Sequence, residues 1–223
     1  MMKIAIDGPG GAGKSSVAKL VAKKLGIVYV DTGALYRTIG YYVKEKGFDP
    51  KDAPSVVSCL PDIKIEVKFI DGTQKVFLNN EDLGDKIRTP EMSMYASAVS
   101  AIGEVRSFLL DTQRDIAKKN SVIMDGRDIG TVILPDAEVK IFLFASPECR
   151  AKRRYEELRA KGQDVSLEDV LREMNERDKN DSEREIAPAK PAEDAIMLDN
   201  SDLDLEGTAD AIIAIVKEKT ESK

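Results

Sequence analysis

Asp7-Gly8-Pro9-Gly10-Gly11-Ala12-Gly13-Lys14-Ser15-Ser16 follows directly on the short apolar run Lys3–Ile6. The pattern G-x-x-x-x-G-K-S falls on Gly8, Gly13, Lys14 and Ser15. Glycines let successive backbone N–H groups turn inward around an anion, because no Cβ forbids the required dihedrals. Lys14 adds a point charge on the outer phosphates from a loop expected to be open to solvent. The Ser15 hydroxyl suits Mg²⁺. These residues together predict a nucleoside triphosphate site spanning Gly8, Pro9, Gly10, Gly11, Ala12, Gly13, Lys14, Ser15 and Ser16.

The elements around this loop fit that chemistry. Val17, Leu20, Val21 and Leu25 recur at helical spacing and Gly26 stops the run, so the loop leads from a strand into a helix N-terminus, where the macrodipole also favours an anion. Further on, IVYVD, SVIMD, EVKIFLFA and AIMLD alternate with helical patterns. Short apolar strands separated by helices predict an α/β fold with a parallel sheet covered on both faces. Ser146 with Pro147 and Glu148 marks one helix start, and Ser166 with Asp169 marks another. One segment breaks the rhythm. Ile63, Ile65, Val67 and Phe69 alternate with Lys64, Glu66 and Lys68, and Asp71-Gly72 is a hairpin signal. An antiparallel hairpin within a βα alternation reads as an insert at about residues 62–103. Residues 95–106 read as a helix, and the C-terminal KEKTESK as a frayed tail.

In a parallel sheet, ligands gather at the carboxyl ends of the strands. After IVYV comes DTGALYR. Thr32 and Tyr36 share a helix face beside Arg37, which suits a nucleobase and a phosphate; a plain cap by Asp31 or Thr32 with Tyr36 packed inside is the structural alternative. After SVIM comes DGRDIGT, where Asp125 stands at the usual place of the acid that holds Mg²⁺ in phosphate-loop enzymes. Arg127 and Asp128 follow in a glycine-flanked loop; a surface ion pair between them would contribute little. Arg177, Asp181 and Arg184 form a polar stripe, open to a reading as intrahelical ion pairs. Arg150, Arg153, Arg154 and Arg159 crowd one helix, as a solvated face or as charge for a phosphoryl group in transfer.

The chain has 223 residues, a net charge of −6 and no histidine. The acidic balance argues against general nucleic-acid binding. Missing histidine removes imidazole acid–base catalysis. An acceptor that is itself a phosphate, with a second pKa near ~6, is already ionised at neutral pH and needs no general base. No N-K-x-D tetrad for guanine is present. Cys59 and Cys149 lack a C-x-x-C pairing, as in a reduced cytosolic protein. The chain enters a strand at once, leaving no room for a signal peptide, and no apolar run approaches the ~18 residues of a membrane span.

In this order, IDGPGGAGKSS, VDTGALYR, DGRDIGTVILPDA, KIFLFAS, ERDKNDSERE and IAPAKPAEDAIMLDNS resemble the bacterial cytidylate kinases over nearly the whole chain. The resemblance implies a single P-loop kinase domain over residues 1–223. Its α/β core would carry a CMP-binding, β-containing insert at about 62–103 and a short Arg-rich lid at about 150–163. It implies phosphoryl transfer from ATP, with Mg²⁺, to CMP or dCMP. A cytoplasmic monomer without nucleic-acid or membrane partners is expected. Position by position, Gly8 to Ser16 would hold ATP, and Ser15 and Asp125 the metal. Lys14, Arg127 and Arg184 would act on the transferred group. Arg37 and Arg127 would bind the acceptor phosphate, with Thr32 and Tyr36 alongside the nucleotide. Ser97, Arg106 and Asp128 would read cytosine, and Arg177 and Asp181 would reach the sugar or phosphate. A carboxylate at Asp128 accepts from the cytosine amino group and repels the uracil carbonyl. A UMP or AMP kinase and a slow nucleotide-binding regulator are the alternative readings.

Overall fold

The computed structural model describes residues 1–70 and 72–221. The chain begins β1 (Lys3–Asp7), α1 (Lys14–Leu25), β2 (Val28–Asp31), α2 (Thr32–Glu45) and α3 (Ala53–Cys59). Next come β3 (Ile65–Ile70), β4 (Thr73–Leu78), β5 (Glu81–Asp82), α4 (Pro90–Val99) and α5 (Gly103–Lys119). The remainder is β6 (Val122–Asp125), β7 (Val139–Phe144), α6 (Pro147–Ala160), α7 (Leu167–Glu183), β8 (Ile196–Asp199) and α8 (Leu205–Glu221). No helix among the described residues is long and apolar enough to cross a membrane.

The central sheet is parallel throughout, in the order β2-β6-β1-β7-β8. β1 lies in the middle, so the loop that follows it opens at the centre of the carboxyl edge. Successive side chains of β1 face opposite ways. Ile4 and Ile6 pack with Val17, Val21 and Ile212 of α1 and α8, while Ala5 packs with Val30, Met124, Ala117 and Ile133 on the other side. Each fully buried Ile contributes roughly 1.5–3 kcal/mol, which outweighs the β-strand's own weak preference. The register sets Asp31 opposite Asp125 and Ile6 opposite Asp125. Asp7, Asp31 and Asp125 therefore collect, all buried, at one edge.

The second sheet is antiparallel, β3-β4-β5, with Ile65 opposite Leu78 and Ile70 opposite Thr73. It packs its Val76 and Leu78 with α2, α4 and α5 in a separate apolar cluster. The expected hairpin is present. Asp71 lies outside the described residues, and Gly72 has φ +73°. The inward face is shorter than the alternation predicts, since Phe69 and Ile70 are exposed near the tip. Residues 95–106 are not one helix. α4 ends at Val99 and α5 starts at Gly103, with Ser100–Ile102 as a turn between them. The C-terminal tail is likewise helical as far as Glu221, with Ser222 and Lys223 outside the described residues.

Candidate active site

The glycine-rich loop is shaped by close approach. Gly8 has φ +146°, and a Cβ there would stand 1.9 Å from the Leu143 carbonyl oxygen of β7. Lys14 is not open to solvent as the sequence suggests. It is buried, and its Nζ donates to the carbonyls of Gly8 at 2.8 Å and Pro9 at 2.6 Å. Burial, reinforced by the nearby Arg127 charge, holds its pKa well below the usual lysine value. Ser15 Oγ donates to Asp125 Oδ2 at 2.7 Å, and the Tyr29 hydroxyl donates to Oδ1 at 2.8 Å. Burial and the facing Asp31 push the Asp125 carboxyl upward.

Asp178 and Asn200, to which the sequence assigns no role, brace this loop together with Arg150. Asp178 of α7 accepts the Gly10 N–H at 2.9 Å, and Arg150 of α6 donates to the Gly10 carbonyl at 2.7 Å. Arg150 also bonds Asp178 at 2.5 Å. Asn200, just past β8, donates to the Ala12 carbonyl at 3.0 Å. The four arginines of α6 therefore divide. Arg150 is buried under the loop, Arg153 bonds the Asn200 carbonyl at 2.7 Å, and Arg153 and Arg154 line the main cavity. Arg159 pairs with Asp164 on the exposed surface.

The loop after β6 carries Arg127 and Asp128, and Asp7 fixes it. The Asp7 carboxylate accepts the N–H groups of Ile129 and Gly130, each at 2.7 Å, at the start of a single π-helical turn over Ile129–Ile133. Burial outweighs these bonds and raises the Asp7 pKa to about 6. Arg127 and Asp128 do not pair with each other. Arg127 Nε donates to Asp181 at 2.9 Å, while Asp128 is ion-paired with Arg106, with Arg184 Nη2 at 3.8 Å from its other oxygen.

α7 supplies the opposite wall. The i, i+4 pair Arg177–Asp181 is long, at 3.9 Å, because Asp181 is engaged by Arg127 and by Ser97 Oγ at 2.8 Å. Burial would raise Asp181, but the Arg127 and Arg177 charges prevail and hold it below the usual range. Arg177, buried beside Arg127, is pushed down to about 10. Arg184 lies one residue past the helix end, where it bonds Ser100 Oγ at 2.9 Å and the Ala187 carbonyl at 2.7 Å. The α4–α5 break thus places Ser97, Ser100 and Arg106 on one rim. On α2, Asp31 is the N-cap, accepting the Ala34 N–H at 2.9 Å. Thr32 Oγ1 donates to the Asp125 carbonyl at 2.7 Å, and the buried Tyr36 ring has the Arg106 guanidinium 5.6 Å from its centroid.

Two connected cavities result. One of about 670 Å³ runs along Gly10, Gly11, Gly13–Ser16, Arg37, Arg127, Arg153 and Arg177. A narrower one of about 60 Å³ is lined by Thr32, Tyr36, Ser97, Arg106, Asp128 and Arg184. Gly33, Arg37, Gly126, Arg127 and Arg177 belong to both. Every acceptor-side residue expected from the sequence lines the narrow cavity. Four buried polar atoms there have no hydrogen-bond partner: the Tyr36 hydroxyl, Arg37 Nε, Arg177 Nε and Arg184 Nη2. Unsatisfied buried groups of this kind are costly and call for a ligand.

A glycine loop at the centre of a parallel sheet, opening onto an arginine-lined second cavity, defines a phosphate-loop phosphotransferase. The solved structure of an uncharacterized protein from Eubacterium ventriosum shares this fold, with TM-score 0.54 and 17% identity over 97% of this chain and 98% of that one. The family model for cytidylate kinase matches residues 4–218, and the chain belongs to that family. A cytidylate kinase of Fervidobacterium nodosum is 52% identical over 99% of each chain, and one of Caldicellulosiruptor bescii is 50% identical over 96% of this chain and 95% of that one.

Proposed function

We propose that the family's reaction, transfer of the γ-phosphoryl group of ATP to CMP or dCMP, proceeds here by alignment and charge neutralisation, without a general base. One observation carries this reading: four buried polar atoms, three of them on arginines, make no hydrogen bond in residues that line the narrow cavity next to the glycine loop. Asp128 and Asp181, the carboxylates lining that cavity, are held by arginines, and the chain has no histidine. The acceptor therefore arrives already ionised, as a phosphate does at neutral pH.

In this mechanism the Gly8–Ser16 backbone and Lys14 hold the donor phosphates. Arg37, Arg127 and Arg177 take the acceptor phosphate, while Asp128, Arg106 and Ser97 orient cytosine. Asp181 reaches the sugar, and Arg184 and Arg127 spread charge on the group in flight. The Ser15 hydroxyl and the Asp125 carboxylate, 2.7 Å apart, are the hard oxygen pair that suits Mg²⁺, which takes its other ligands from phosphates and water. Held by these two residues, the ion would supply charge neutralisation on the phosphates. Among the described residues no cluster of three or more acidic, Cys or His side chains forms a separate metal cage. The segment of about 62–103 serves as the CMP-binding insert and that of about 150–163 as the lid over the donor. We take the protein to work as a cytoplasmic monomer on small nucleotides; both cysteines are free thiols.

The test is ADP formation from ATP and Mg²⁺ against CMP, dCMP, UMP, AMP and GMP. CMP and dCMP are expected to be the best acceptors. A better rate with AMP or GMP overturns the acceptor assignment, and ATP hydrolysis indifferent to any acceptor would reduce the protein to a nucleotide-binding regulator.

A further inference from the structure

Arg88 follows a short 3-10 turn (Gly84–Ile87) in the segment that carries the second sheet. Its guanidinium is ion-paired with the buried Asp31 carboxylate, on the same oxygen that Arg37 bonds at 2.8 Å. The other Asp31 oxygen is taken by the Ala34 N–H. Two guanidiniums thus share one carboxylate oxygen, and Asp125 across the strand register is the other carboxylate that faces this pair. Arg88 is 41% exposed at its side chain, whereas Arg37 is 14% and Asp31 6% exposed. Its open part lines the main cavity together with Arg37, Arg127 and Arg177. Between residues 62 and 103 it is the one charged residue, among those described, that lines either cavity.

The attachment is deliberate in its geometry. Gln74 of β4 clamps the Asp31 peptide from the same segment: Asp31 N–H donates to Gln74 Oε1 at 2.7 Å, and Gln74 Nε2 donates to the Asp31 carbonyl at 3.1 Å. With the segment already tied to β2 by this pair, a guanidinium on Asp31 is not required for docking. A guanidinium has five N–H donors in a planar fork, and Asp31 uses few of them. Beside it, Arg37 Nε is buried without a partner. A dianion entering between Arg37 and Arg88 would take these donors without displacing either cation from Asp31.

We propose that Arg88 is a further binding residue for the acceptor phosphate, contributed by the insert, with Asp31 positioning it beside Arg37. This rests on the acceptor reading above. The competing account is an ion pair that only fastens the insert to the core.

Titration calorimetry on Arg88→Met and Arg88→Lys, with CMP, cytidine and ADP as separate probes, distinguishes them. The Met variant is expected to bind CMP about 10- to 100-fold more weakly, the range of a lost charge-assisted contact. Cytidine, which has no phosphate, and ADP should bind as in the unmodified protein. Arg88→Lys keeps the charge without the fork and should fall between. Equal weakening of CMP and cytidine would mean a structural role and overturn the proposal. Weakened ADP with unchanged CMP would assign Arg88 to the donor and overturn it equally. If the unmodified protein binds neither CMP nor cytidine, the acceptor reading itself fails, and that result is separate from any effect of Arg88.

Discussion

Asp128→Asn tests base selection directly, and the surroundings of Asp128 dictate what it should do. Asp128 and Arg106 are buried to 5% and 8% side-chain exposure and are ion-paired. Truncation to Ala would leave a buried guanidinium without its partner, a loss of about 3–5 kcal/mol in folding stability. Asn keeps the volume and keeps an oxygen for Arg106. Because Arg106 donates to Oδ2, the new carbonyl oxygen should settle there. The amide NH₂ then replaces Oδ1, from which Arg184 Nη2 stands 3.8 Å away. An acceptor facing the base thereby becomes a donor. In the proposed pose cytosine's own amino group meets that donor, so kcat/KM for CMP should drop by about 1.5–3 kcal/mol, or roughly 10- to 150-fold. Uracil presents a carbonyl, so kcat/KM for UMP should hold or rise. Steady-state kinetics with both nucleotides reads the ratio, and urea unfolding of the variant checks that it is folded under assay conditions. A CMP/UMP ratio equal to that of the unmodified protein would refute base reading by Asp128.

Lys14→Ala removes the buried ammonium of the glycine loop and, on the proposed donor role, should lower kcat at least about 10²-fold, with circular dichroism at 222 nm unchanged; near-normal turnover would sink the role given to this loop. Gly8→Ala drives a methyl group into the Leu143 carbonyl, 1.9 Å from where it would sit, and should destabilise by more than about 3 kcal/mol in urea unfolding; an unchanged midpoint contradicts the strand–loop contact. Asp7 titrates near 6 in the fold against an ordinary 3.8, so the native state binds its proton more tightly. Its contribution to stability is full below about 3.8 and is lost as pH rises through about 6. Asp7→Asn abolishes that loss, at most about 3 kcal/mol. Unfolding curves at pH 4.5 and 7 should show the variant gaining relative to the unmodified protein at the higher pH, and a pH-independent difference would exclude the shift.

The parallel sheet was legible because strands buried on both faces read as unbroken apolar runs, as in SVIMD and KIFLFA. The glycine loop was legible because backbone conformation selects residue type there. The bracing of the site was not. Asp178 meets Gly10 across 168 positions, Asn200 meets Ala12 across 188, and Gln74 meets Asp31 across 43. Local spacing rules cannot see such pairs. They even suggest a weaker one, since Arg177 and Asp181 are helix neighbours at 3.9 Å while Asp181 prefers the distant Arg127 at 2.9 Å. The break after Val99 leaves no local signal, because Ser100-Ala101-Ile102 contains neither Gly nor Pro. Ser97 and Arg106 entered only through family resemblance. A single signal was available for Arg106, a guanidinium among the apolar positions Val105 and Leu109 of α5.

Both polar groups of the Gly10 peptide are occupied by the α6–α7 arm, its N–H by Asp178 and its carbonyl by Arg150. Mechanically the arm is a cantilever built in at its root. A beam so fixed cannot rotate as a rigid paddle about its base without dragging the phosphate loop along. Its compliance belongs outboard, beyond Arg154, where about six further residues of α6 extend roughly 9 Å to the exposed turn at Lys161 and Gly162. The free lever is therefore short, and its stiff end is also the support of the glycine loop at Gly10.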